Sequence, residues 1–62
     1  MNQHYLITIN WNGQVFSFYR HATSAAQALR FAIRQLAREV GYSTCYVRNH
    51  VMSGNRYEVK IV

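Results

Sequence analysis

Four residues, Trp11-Asn12-Gly13-Gln14, constrain this chain more than any others. Asn-Gly between two runs of β-branched and aromatic residues is the strongest short hairpin signal, because both turn residues must accept positive φ. A two-residue turn also sets the register. Trp11 then faces Gln14, Ile9 faces Phe16, Ile7 faces Phe18 and Tyr5 faces Arg20. Side chains alternate along a strand, so this register sorts the ribbon from His4 to Tyr19 into two faces. Ile7, Ile9, Phe16 and Phe18 form the apolar face, which points to the core, and Leu6, Thr8, Asn10, Val15, Ser17 and Tyr19 form the other.

A helix over Ala25 to Val40 follows. Ser24-Ala25-Ala26-Gln27 matches a capping box, with Ser24 accepting from the Gln27 backbone and Gln27 reaching back. Gly41 suits the left-handed stop position. At helical spacing Ala25, Leu29, Ala32, Ile33, Leu36 and Val40 fall on one stripe about 100° wide, which is the pattern of a core-packing helix.

Tyr42 to Val62 reads as a second hairpin around Ser53-Gly54-Asn55. With a three-residue loop, Val51 faces Tyr57, Asn49 faces Val59 and Val47 faces Ile61, with Cys45 beyond, giving a mostly apolar face. Tyr46, Arg48, His50 and Met52 then share the opposite face with Arg56, Glu58, Lys60 and Val62. The expected architecture is α+β, with the order β-β-α-β-β. It is a two-layer domain over residues 1–62, in which one helix packs on one face of a four-stranded, mainly antiparallel sheet.

Composition excludes several classes. One Cys rules out a disulfide framework, and the three His have no metal-ligand spacing, so neither a metal nor any other cofactor is expected. No apolar run approaches the ~18 residues of a membrane span. Met1-Asn2-Gln3-His4 lacks the cation that opens a secretory signal. The expectation is a soluble, cytoplasmic protein. The only carboxylates, Glu39 and Glu58, fall on different elements at solvent-facing positions, and Cys45 falls on the buried face, so no catalytic residue is assigned.

Binding is the better-supported class. Seven Lys and Arg against two Asp and Glu give +5 on 62 residues, a field that attracts polyanions. Arg30, Arg34 and Arg38 recur every four residues and stack along the outer side of the helix. Each such like-charge pair costs roughly 0.2–0.5 kcal/mol. Phe31 lies among them, about 160° from the centre of the core stripe, where it can stack a base, pack on a partner or lie under arginine stems of its own helix. On the uncovered sheet face, Tyr19, Tyr46, Arg48, His50, Arg56 and Lys60 interleave aromatics with cations, as sheet-based binders of single-stranded RNA do. The same face also reads as a plain solvated surface, with His50 opposite Glu58, or as a homodimer patch of Leu6, Val15, Tyr19, Tyr46 and Val62.

Nucleic acid, RNA or DNA, held through backbone phosphates and aromatic and arginine contacts at Arg30, Phe31, Arg34, Arg38, Tyr46, Arg48, His50 and Lys60, is the leading expectation. The alternative is a small adaptor or inhibitor that docks on a protein or nucleoprotein complex, with Phe31 as anchor and the arginines as rim. In length, in sheet-plus-helix order and in lacking catalytic residues, the chain is similar to compact proteins of phages and other mobile elements. These include anti-CRISPR proteins, which block nucleic-acid-handling complexes by occupying their surfaces.

Overall fold

A computed structural model describes residues 2–62. Strands β1 (Gln3–Trp11) and β2 (Gln14–Ala22) form the expected hairpin in the expected register, from Trp11↔Gln14 through Tyr5↔Arg20 to Gln3↔Ala22. Asn12 and Gly13 take φ of 50° and 82°, as the turn requires, and the Gly13 N–H donates to Asn10 Oδ1 at 3.1 Å. The inward face of the hairpin extends beyond the four expected residues, since Tyr5 and Trp11 join Ile7 and Ile9 of β1 in the core. Phe18 is buried opposite Ile7, whereas Phe16 is half-buried at its margin.

Helix α1 (Ala25–Val40) starts and stops where the capping signals put it. The Ser24 hydroxyl accepts from the Gln27 N–H at 3.2 Å, and Gly41, at φ 78°, donates its N–H to the Ala37 carbonyl. The return half of the cap differs from the expected box. Gln27 Oε1 accepts from the backbone N–H and the hydroxyl of Thr23 rather than from Ser24. The core stripe is also turned slightly, with Ala28 and Ala37 buried, Val40 half-buried and Ala25 exposed at the first turn.

The expected second hairpin is replaced by a second helix, α2 (Thr44–Ser53), followed by a short strand, β3 (Tyr57–Ile61). The domain is α+β, but its sheet has three antiparallel strands in the order β2-β1-β3 rather than four, and two helices rather than one. The expected pairs of Val51 with Tyr57, Asn49 with Val59 and Val47 with Ile61 do not form. Instead β3 pairs with the free edge of β1, placing Tyr57, Val59 and Ile61 opposite Ile9, Ile7 and Tyr5.

The physical reason is an ambiguity of period. Val47 and Val51 are four residues apart, two repeats of a strand but also close to one helical turn. Both are fully buried in α2, and the residues two positions away from them carry the distinction. Cys45, placed on a buried face by strand alternation, is exposed, as is Asn49. Ser43 caps the helix, its hydroxyl accepting from the Tyr46 N–H at 3.2 Å. Gly54-Asn55, expected as a hairpin loop, ends α2 with Asn55 at φ 50°, because a residue tolerant of positive φ suits a helix stop and a hairpin loop equally. The Arg56 N–H then bonds to the Val51 carbonyl, and the Asn10 N–H bonds to the Arg56 carbonyl at 2.9 Å, which leads the chain into register beside β1.

Truncation separates the two arrangements. Val47→Ala removes fully buried methyl groups and is expected to cost about 1–3 kcal/mol in urea unfolding. Cys45→Ser, on the exposed side of α2, is expected to stay within about 0.5 kcal/mol of the parent. A strand with Cys45 facing inward would make both changes costly.

Candidate nucleic-acid interface

On α1, the four-residue repeat puts Arg30, Arg34 and Arg38 on the exposed side, away from the buried stripe of Ala28, Leu29, Ala32, Ile33 and Leu36. On α2, burial of Val47 and Val51 turns Thr44 and Arg48 toward α1. The result is a groove of about 290 Å³ between the helices, lined by Arg30, Phe31, Ile33, Arg34, Thr44 and Arg48. Arg34 and Thr44 also line a neighbouring concavity with Arg38, Gly41, Tyr42 and Ser43, at the start of α2. Three arginines from two helices therefore converge, although Arg48 had been expected on the open sheet.

None of them has a carboxylate partner. Among the described residues the one ion pair is Lys60 Nζ to Glu58 Oε1 at 3.4 Å, on an exposed stretch of β3. Glu39 lines the outer side of α1 near Arg38 without an ion pair. Among the described residues no group of three or more His, Cys, Asp or Glu side chains stands close enough to hold a metal ion. Among the described residues no helix is long and apolar enough to cross a membrane.

Phe31 is half-buried rather than free. Arg20 occupies an inward position of the edge strand β2, opposite Tyr5, and its guanidinium carbon lies 5.1 Å from the centroid of the Phe31 ring. A cation from β2 thus lies over the ring, while Arg30, Arg34 and Arg38 of the helix line the concavities on either side of it. This was legible in the alternation of β2, where Arg20 continues the inward series Phe16, Phe18 and must bring its charge out around the edge of α1.

Tyr46 and His50 do not lie on the sheet either. They occupy the flank of α2 opposite Arg48 and close over Trp11 together with Tyr42. The ring centroids of Trp11 lie 4.8 Å from His50, 5.7 Å from Tyr42 and 6.1 Å from Tyr46, and Tyr42 lies 5.1 Å from Tyr46. Trp11 is only 5% exposed, whereas Tyr42 and Tyr46 are each 53% exposed. Tyr42, Trp11 and Thr44 carried no assignment from sequence. The signal for Tyr42 is its four-residue step to Tyr46 and on to His50, which a strand reading of this stretch hides, although Tyr42 itself precedes the Ser43 cap of α2.

The remaining members of the expected sheet surface are dispersed. Arg56 donates from its guanidinium to the His50 carbonyl at 3.3 Å and tethers the end of α2. His50 faces Trp11 and not Glu58. Of the open-face residues, Lys60 stays on the sheet, beside Leu6 and on the side away from the helices, so it does not join the groove. Tyr19 is exposed across from Leu6, and the apolar patch expected there lacks Tyr46. His4 and His21 stack at 3.7 Å at the far end of the ribbon. No family model, curated protein or solved structure matches the chain.

The Arg20 cover on Phe31 has a measurable worth. A double-mutant cycle with Arg20→Ala and Phe31→Leu is expected to give a coupling energy of about 0.5–1 kcal/mol in thermal or urea unfolding, the range for a solvent-exposed cation over a ring. Coupling near zero would mean that Arg20 does not hold the ring.

Proposed function

We propose that the protein is a non-enzymatic nucleic-acid-binding module that holds a phosphate backbone in the groove between α1 and α2. The observation that carries this reading is the convergence of Arg30, Arg34 and Arg48 on one groove, none of them in an ion pair. Guanidinium groups present rigid forks of donors that match phosphate oxygens, and they are the preferred cation where bidentate recognition matters. Stacking the arginines of α1 costs helix stability, and a polyanion in the groove reverses the sign of that repulsion. The net charge of +5 draws the same ligand from a distance.

Docking on a protein partner has less support, since its anchor was Phe31. Half-buried, with Arg20 over one face, that ring is placed as the apolar wall of a cationic groove rather than as a side chain that projects into a partner. The contacts proposed here are to phosphates, so the affinity they provide is dominated by the backbone.

Fluorescence anisotropy against salt tests the reading. Three phosphate contacts give a slope near −2.7 in log affinity against log salt on duplex DNA, a loss of roughly 40-fold between about 50 and 200 mM. Arg48→Ala is expected to weaken binding and make the slope shallower by about 0.9, and Arg34→Ala to do the same. Lys60→Ala, on the opposite side of the domain, is expected to change the slope little. Absence of binding to any nucleic acid at the lower salt would overturn the proposal, and an equal effect of Lys60→Ala and Arg48→Ala would move the site away from the groove.

A further inference from the structure

We infer that the ligand of this groove is a single strand, whose unpaired bases stack on the exposed rings of Tyr42 and Tyr46 while the neighbouring arginines hold its phosphates. The inference rests on the nucleic-acid reading above and adds to it the strandedness of the ligand and a second set of contacts.

The two rings have the properties of a stacking platform. Each is 53% exposed, at a place where large apolar surface is not needed for the core. They are held from behind, because Trp11 packs against both and is itself almost fully buried at the end of β1. Their centroids are 5.1 Å apart with the planes inclined at 31°, so the two rings partly stack on each other and form one aromatic cluster to which a base can add. A tyrosine fixed in this way loses little conformational entropy when a flat ligand settles on it.

The platform is also continuous with the cations. Tyr42 lines the same concavity as Arg34 and Arg38, and Arg34 continues into the groove with Arg30 and Arg48. A chain lying across the start of α2 therefore meets guanidinium groups on one side and aromatic faces on the other. Duplex DNA or RNA hides the faces of its bases within the stack and can use only the arginines. An unpaired strand exposes both its phosphates and its base faces, and it alone can use both halves of this surface. RNA and single-stranded DNA share that chemistry, and comparison of the two identifies which is preferred.

The test is a set of anisotropy titrations at one salt concentration with labelled oligo-rU, oligo-dT and a duplex of the same length. The expected result is tighter binding of at least one single strand than of the duplex. Tyr42→Leu and Tyr46→Leu are expected to weaken single-strand binding by roughly 5- to 100-fold each, and to leave duplex binding nearly unchanged. Tyr42→Phe and Tyr46→Phe, which keep the aromatic face, are expected to retain single-strand affinity. Circular dichroism of each variant separates lost stacking from lost folding, and the comparison of strands in the unmodified protein stands independently of the variants. A duplex bound as tightly as both single strands, or Leu variants as good as Tyr, would overturn this inference and leave the phosphate-binding groove standing. No binding of any of the three ligands would overturn both.

Discussion

The rest of the structure depends on the register of β1. The Asn12-Gly13 turn, with both residues at positive φ, places Tyr5, Ile7, Ile9 and Trp11 on one face of a strand that has a partner on each side. That face becomes the floor on which α1 and α2 rest, and all four residues are buried. A slip of one residue would turn the entire set to solvent and present Leu6, Thr8 and Asn10 to the helices instead. In a chain of 62 residues with no disulfide, the hydrophobic face of one strand carries an unusually large share of the core. The same register also determines the aromatic surface, since Trp11, the last residue of β1, is the ring on which Tyr42, Tyr46 and His50 gather.

The first two-thirds of the fold was legible because each signal there had one interpretation. Asn-Gly between β-rich runs, and a Ser24 cap answered by Gly41 after a sixteen-residue helix, admit few alternatives. The last third was not legible in the same way. Val47 and Val51 satisfy both periods, Gly54-Asn55 serves both as a helix stop and as a hairpin loop, and Cys45 is tolerated buried or exposed. Two residues did carry the answer. Asn49 would have faced inward in the strand without a partner, and Ser43 two residues after Gly41 begins a new helix as readily as a strand. The arginines of α1 were located because their element was secure. Arg48 belonged to the same groove and could not be assigned to it until its element changed from strand to helix.

That change also altered what each expected contact means. As a strand, Tyr46, Arg48 and His50 would have shared one flat surface with Lys60. As a helix, the same stretch sends Arg48 toward α1 and Tyr46 with His50 toward Trp11, and leaves Lys60 on the far side of the sheet beside Glu58. The open face of the sheet is poorer in cations as a result, and the helical side is richer. Phe31 changes in the same direction. Its ring reads as exposed when α1 is considered alone, and becomes half-buried once β2 brings Arg20 over it.

The division of α2 into a cationic flank and an aromatic flank separates two kinds of interaction that respond differently to the solvent. Guanidinium–phosphate contacts on the surface weaken steeply as salt rises, because bound counterions are no longer released at a gain. Stacking on a ring depends on dispersion and on removal of apolar area from water, and salt affects it much less. For a ligand that bridges the two flanks in the proposed manner, electrostatics governs how readily the strand arrives and the tyrosines govern what stays bound when charge is screened. The two contributions come from different residues, held by different neighbours: Arg48 by the turn of α2 against α1, Tyr42 and Tyr46 by Trp11. One 62-residue domain can therefore present both chemistries next to each other, provided that β1 stays in register beneath them.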